Sequence, residues 1–253
     1  PRVRRQRQMC IRDRLRRAGA LSSADLLRIY RESPYGVVRL EALMALSATP
    51  DNHFITAVTE ASQDAYELVQ RQAIRFIAKN GDRRLIPALI RLSIANNTSD
   101  RCNFNVMTAL ACFPKEDLLA EFDRQFDAPS VQYLDKNNLR GKIRNTIAHS
   151  ADRLTTDIDK VVKGEASEKD RTFTIRALRN TLPHHKVPEL LVYLQDCGDG
   201  NTQILLLEAL GWHTVSCHAA DIAATALKMS EDASLPNTVR QEALKTYRRI
   251  HEK

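Results

Sequence analysis

One apolar stripe recurs seven times along this chain of 253 residues, and that recurrence limits the fold more than any other feature. Its anchors are Ala42, Ala73, Val106, Ile143, Ala177, Leu206 and Ala243, separated by 31, 33, 37, 34, 29 and 37 residues. Four positions before each anchor stand Val38, Val69, Cys102, Leu139, Phe173, Thr202 and Val239; one position after come Leu43, Ile74, Met107, Arg144, Leu178, Leu207 and Leu244. Four positions after come Leu46, Ile77, Leu110, Ile147, Thr181, Leu210 and Tyr247. Residues at these offsets share one face of an α-helix. The fifth unit also fits with a shift of one residue. Such a period marks stacked helical units, none of which can bury its stripe alone; neighbours complete a continuous core.

Between the anchored helices lie others of similar length. Pro50, Gly81 and Pro114 fall eight residues after the first three anchors, and Pro183 comes slightly earlier in the fifth unit. Each can stop a helix, by lacking an amide donor or by turning left-handed. The pattern predicts helix pairs near 21–32/36–48, 52–62/64–79, 83–96/99–112, 115–127/137–148, 151–164/166–182, 185–196/200–212 and 217–230/236–252. Asp64, Asp82, Ser99 and Ser234 stand where N-caps are expected, and Asn80-Gly81-Asp82 and Cys197 to Asn201 read as turns. Only 8 Gly, 9 Pro and 6% aromatic residues argue against an all-β fold. No apolar run approaches the roughly 18 residues of a membrane span.

Val38 to Leu46 resembles the second helix of a HEAT repeat, as do Val69 to Ile77 and Val239 to Leu244. Gly81 to Leu89 is similar to that family's linking turn and first helix, and so is Lys186 to Leu191. The resemblance, to HEAT-like repeats of the PBS-lyase type, covers 21–253 and is strongest near 37–95 and 169–253. Units three and four depart most: Asn103 and Asn105 flank Phe104, and Asn137-Asn138 precede Leu139. It implies an all-α, right-handed α-solenoid of about seven pairs, forming one domain over 21–253, with a concave surface lined mainly by the second helices. The family serves many functions, so the resemblance speaks for architecture alone.

Charge is unevenly placed. Residues 1–17 hold eight arginines against Asp13, so the formal charge of +7 belongs to this tail, and the other 236 residues balance at zero. A body suited to nucleic acid is therefore not expected. Three readings of the tail (1–20) stand side by side: a basic arm for phosphates or anionic lipid, a segment flanking a lost membrane anchor, or an artefact. The third rests on Met9 to Arg14, which resembles translated sequencing-adapter DNA; on that reading the natural chain continues upstream of Leu15.

Chemistry-bearing motifs are scarce. Five cysteines at irregular spacing, with no CxxC, suggest a reducing, cytoplasmic setting without disulfides or a zinc knuckle. GxSxG, P-loop, GxGxxG and HExxH patterns are missing. His184-His185 and His213 with Cys217-His218 are the candidate metal ligands, and read as helix-terminal or solvated histidines. Arg39, Arg140 and Arg240 lie three before their anchors, either as a basic ladder or as braces packed between repeats. Arg71 and Arg75, with Arg83, Arg84 and Arg91, form the densest basic cluster of the body, near Glu60, Asp64, Glu67 and Asp82. HEAT-like DNA glycosylases share this size and architecture, but such a site needs shielding aromatics, and Trp212 is the one tryptophan, expected to pack under a turn. The expectation is a non-catalytic scaffold without cofactor or metal, docking a protein partner on the concave face through Arg39, Arg71, Arg75, Arg140 and Arg240. The alternative is a regulatory or docking module of a longer, membrane-anchored or enzymatic protein.

Overall fold

A computed structural model of the protein describes residues 21–95, 100–127 and 136–251, without the side chains of 100–103 and 136–138. The basic tail and the expected cap at Ser99 lie outside the described residues. Among those described there are thirteen α-helices, two short 3₁₀ turns and no strand. They are α1 (Ser23–Glu32), α2 (Gly36–Leu46), α3 (Asn52–Ala61), α4 (Glu67–Asn80), α5 (Ile86–Ile94), α6 (Asp100–Leu110) and α7 (Lys115–Phe126). After these come α8 (Lys136–Val162), α9 (Glu168–Leu178), α10 (Val187–Asp196), α11 (Gly200–Leu210), α12 (Ala219–Glu231) and α13 (Asn237–His251).

Local chemistry sets the helix ends. Ser22 closes a capping box with Asp25, while Asp51, Ser167 and Asp199 accept amides of the first turns they precede. Gly81 ends α4 in the left-handed region, at φ 72°, as its turn residues require. Two expected caps are corrected. Asp64 does not cap α4, which begins behind Tyr66; its carboxylate faces Arg39 instead. Ser234 binds Asp232 in the loop before α13.

The anchors face inward. Ala42, Ala73, Leu206 and Ala243 are fully buried and Val106 nearly so, while Ile143 packs partly buried against the core. In the fifth unit the buried residue is Leu178 rather than Ala177, so the shifted register holds. Neighbouring helices stack in two layers: α2, α4, α6, α8, α9, α11 and α13 succeed one another in one, with α1, α3, α5, α7, α10 and α12 behind them. The first layer, termed the inner one, packs more tightly along its length than the second.

One expected break is absent. The repeat pattern predicts two helices over 137–148 and 151–164, yet α8 runs unbroken from Lys136 to Val162. His149-Ser150 offers neither proline nor glycine, and nothing else there stops a helix. This long helix joins two apolar cores: Ile147 and Ala151 belong to the first, Leu154 and Ile158 to the second. The array also bends back on itself, because a cleft of about 720 Å³ is lined by Ala48 and Pro50 from its start and by Ala223 and Tyr247 from its last pair.

Candidate functional site

The outward face of the inner layer carries apolar side chains that the core does not use. Met44, Leu68, Phe104, Met107 and Phe173 are exposed on α2, α4, α6 and α9, with Tyr35 just before α2 and Trp212 just after α11; Val192 is the one large exposed apolar residue recorded on an outer helix. Their positions are ordered. Leu68 and Phe173 lie five before the buried residues Ala73 and Leu178, Phe104 lies two before Val106, and Met44 two after Ala42. At about 100° per residue these offsets fall roughly 160–220° around the helix, opposite the core, whereas Met107, one after Val106, lies at about 100° and is exposed where the stripe predicts burial. Arg71, Arg75 and Arg176 occupy the same face by the same arithmetic. The inner layer thus presents an interrupted apolar ridge, one or two side chains on each of α2, α4, α6 and α9, with guanidiniums on the same face of α4 and α9. Exposed apolar groups gathered on one face mark a contact surface more than scattered ones do.

The arginines singled out from sequence divide into two sets. Arg39 is a brace: its Nε and Nη2 each donate to Asp64 at 2.7 Å and its Nη1 donates to the Ser33 carbonyl at 3.1 Å. Tyr30 and the Tyr66 amide complete the ring around Asp64, whose carboxylate is nearly buried. Burial alone would raise the Asp64 pKa, but the Arg39 guanidinium and the Tyr66 amide outweigh it and hold it below the usual carboxylate range. Arg140 reaches Asp123 and Asp127, each at 2.9 Å, and ties α8 to the end of α7. Arg240 has its Nε buried on α13. Of the two readings of these three arginines, their contacts fit the brace: Arg39 and Arg140 are engaged within the fold, and Arg240 is partly enclosed by it. Arg71 pairs with Glu67 one turn earlier. Arg75 is exposed, with no ion-pair partner among the described residues. Nor does the larger cluster converge, because Arg84 turns to Asp82 and Arg83 to Asp117.

The histidines are placed differently from expectation. His184 and His213 are buried at a polar junction where the loops after α9 and α11 meet the ends of α4 and α6. Nε2 of His184 faces the Ala78 carbonyl at 2.8 Å and must carry the proton, so Nδ1 accepts from the Ser216 hydroxyl at 3.0 Å. Backbone bonds surround the pair: the His184 amide donates to the Cys112 carbonyl at 3.1 Å and the Cys217 amide to the Asn80 carbonyl at 2.7 Å. The Asn80 side chain donates to the Val215 carbonyl at 2.8 Å, and His213 Nε2 lies 2.6 Å from the Leu178 carbonyl. A Ser–His pair suggests a nucleophile with its base, but burial pushes His184 down to about 3, leaving an imidazole too weakly basic at neutral pH. The pair fastens loops. Among the described residues no three His, Cys, Asp or Glu gather as metal ligands. Sequence reading found these histidines without placing them, since repeat arithmetic connects only neighbouring units.

Trp212 does not pack under its turn. It is half exposed, and the guanidinium carbons of Arg179 and Arg249 each lie 4.7 Å from its ring centroid.

No protein-family model matches the chain, and no curated protein does. Among solved structures, human deoxyhypusine hydroxylase in complex with glycerol is similar at 12% identity, over 97% of this chain and 98% of that one, with a TM-score of 0.34. That neighbour bears the name of an enzyme, so the expectation of a non-catalytic scaffold, and of a chain that is not an enzyme, is corrected: a helical array does not exclude catalysis. At that TM-score the likeness carries neither the activity nor its substrate to this chain. No helix among the described residues is long and apolar enough to cross a membrane.

Proposed function

We propose that this chain recognises a protein, laying an extended segment with apolar and acidic side chains along the ridge of Met44, Leu68, Arg75, Phe104 and Phe173. The reading concerns recognition, whether the bound segment is released unchanged or altered. One observation carries it: large exposed apolar side chains are sorted onto one face of the inner helices, opposite the core. Phe104 at 69% and Phe173 at 74% exposure leave large apolar surfaces to water on that face, which a bound segment would cover. Arg75 and Arg176 beside them favour carboxylates of the incoming segment. A HEAT-like, right-handed course belongs to the same reading, and the recurrent buried anchors support its repeat character. So does a cytoplasmic setting, supported by Cys112, Cys197 and Cys217 as free thiols.

The test is selection from a displayed random peptide library. Wild type should enrich peptides combining aromatic or aliphatic residues with Asp or Glu. A variant carrying Leu68→Ser, Arg75→Glu and Phe104→Ser, with unchanged helical circular dichroism, should lose them. Equal enrichment by both proteins would overturn the reading.

A further inference from the structure

A second feature shares Arg176 with the ridge face but uses none of the ridge's apolar side chains. Beyond the end of α9 and along α11 lies a cleft of about 310 Å³, lined by Arg176, Arg179, Leu205, Glu208 and Ala209. Trp212 adjoins it through Arg179 and holds Arg249 at its other contact, so two guanidiniums gather around one indole while a third, Arg176, lines the same cleft as Arg179. The charge is poorly compensated. Glu208 is the one carboxylate lining the cleft, and its oxygen lies 3.6 Å from Arg179, beyond a hydrogen bond. Arg176 has no ion-pair partner among the described residues. Arg249 is packed so that its Nη1 is buried without an acceptor, 2.8 Å from where a Cβ on Gly211 would stand.

We propose that this cleft binds a phosphate-type oxyanion between Arg176 and Arg179, with Trp212 holding the Arg179 and Arg249 planes in place. Guanidiniums are planar forks that bind oxyanions with paired N–H donors, and stacking on an indole fixes such a plane without using its donors. The Leu205 and Ala209 side chains border the site with apolar surface, which strengthens each charge interaction. A carboxylate answers one fork; a phosphate dianion, with three acceptor oxygens, answers two or three and outcompetes Glu208 for Arg179. The phosphate can come from a phosphorylated side chain on a protein segment or from free inorganic phosphate, and the test separates these sources.

Trp212 is the sole tryptophan of the chain, so its fluorescence, excited selectively over that of the six tyrosines, reports on this site. The experiment titrates the full chain with inorganic phosphate, with a phosphoserine peptide and with its unphosphorylated form, at constant ionic strength set by potassium chloride. Calorimetry runs in parallel. Phosphate is expected to produce a saturable response, weakened at least tenfold in the Arg176→Gln/Arg179→Gln double variant, whose exposed positions leave the fold intact. Tighter saturation by the phosphopeptide than by phosphate, with none by the unphosphorylated form, assigns the ligand to a phosphorylated protein. Saturation by inorganic phosphate alone assigns it to the free ion. No saturable response by either method, or an equal response in the double variant, would overturn the proposal. Ridge variants at Leu68 and Phe104 are expected to leave this titration unchanged, so the two proposals fail separately.

Discussion

The stacked helices and the polar junction hold this molecule together by different means. Along the stack, aliphatic and aromatic side chains interlock: Phe54 meets Phe76 edge-on at 5.3 Å, and Phe122 lies 5.2 Å from Phe126. Such contacts are non-directional, and many residues of similar volume would serve. At the junction a few directional bonds join segments distant in sequence, some of them more than a hundred residues apart, through His184, Asn80, Ser216 and two backbone amides. Each donor there has one acceptor, and little can be exchanged. The stack builds the array; the junction decides how far it bends back.

The sharpest way to break this contrast is at two glycines that share a backbone conformation. Gly81 and Gly164 have φ of 72° and 74°, but a Cβ on Gly81 would lie 2.0 Å from the His184 ring, whereas nothing lies within 4 Å of one on Gly164. Gly164→Ala should cost about 1 kcal/mol, the left-handed penalty alone. Gly81→Ala should cost about 3 kcal/mol or more, adding the overpacking of the junction. Urea unfolding of the two variants measures the difference, and equal losses would mean that the junction contributes nothing.

The Arg39–Asp64 brace comes next. Asp64→Asn leaves an enclosed guanidinium with half a partner and should cost about 2–3 kcal/mol, whereas Asp127→Asn, at an exposed pair, should cost under about 0.5 kcal/mol.

Acid separates the two regions by pH. A buried His184 held near 3 stays neutral in the fold, while the unfolded chain binds its proton near about 6.5. Its stabilisation is therefore complete above about pH 6.5 and lost as pH falls from there towards 3. Asp64 also has a lowered pKa, so its share persists until pH falls below the unfolded value of about 3.9. Thermal unfolding from pH 7 to 4.5 should thus weaken the junction before the brace. His184→Gln should flatten that slope in part, since burial lowers His213 and His185 in the same direction.

The smallest expected effect on stability lies on the ridge. Arg75→Ala and Phe104→Ser should each change it by less than about 0.5 kcal/mol, because neither side chain is held by the fold.

Much of the stack was readable because burial in a helical array repeats with the helix period. Ala42, Ala73 and Ala243 are small, apolar and in phase, and nothing but a core asks that of them. The same periodicity misplaced a break in α8, where repeat phase suggested a turn that no residue at 149–150 enforces. The junction was illegible, since its partners are backbone carbonyls of Ala78, Asn80 and Cys112, which no side-chain pattern announces. The ridge lay between these cases. Leu68 and Phe104 could have been noticed as apolar residues on the wrong face, but charge drew attention to Arg39 and Arg140, which the fold consumes.

Deuterium exchange with and without an acidic, apolar peptide selected on wild type tests the central claim most directly. The account predicts slowed exchange across α2, α4, α6 and α9, with α3, α5 and α10 unchanged. Protection confined to the outer helices, or to the loops of the junction, would contradict it.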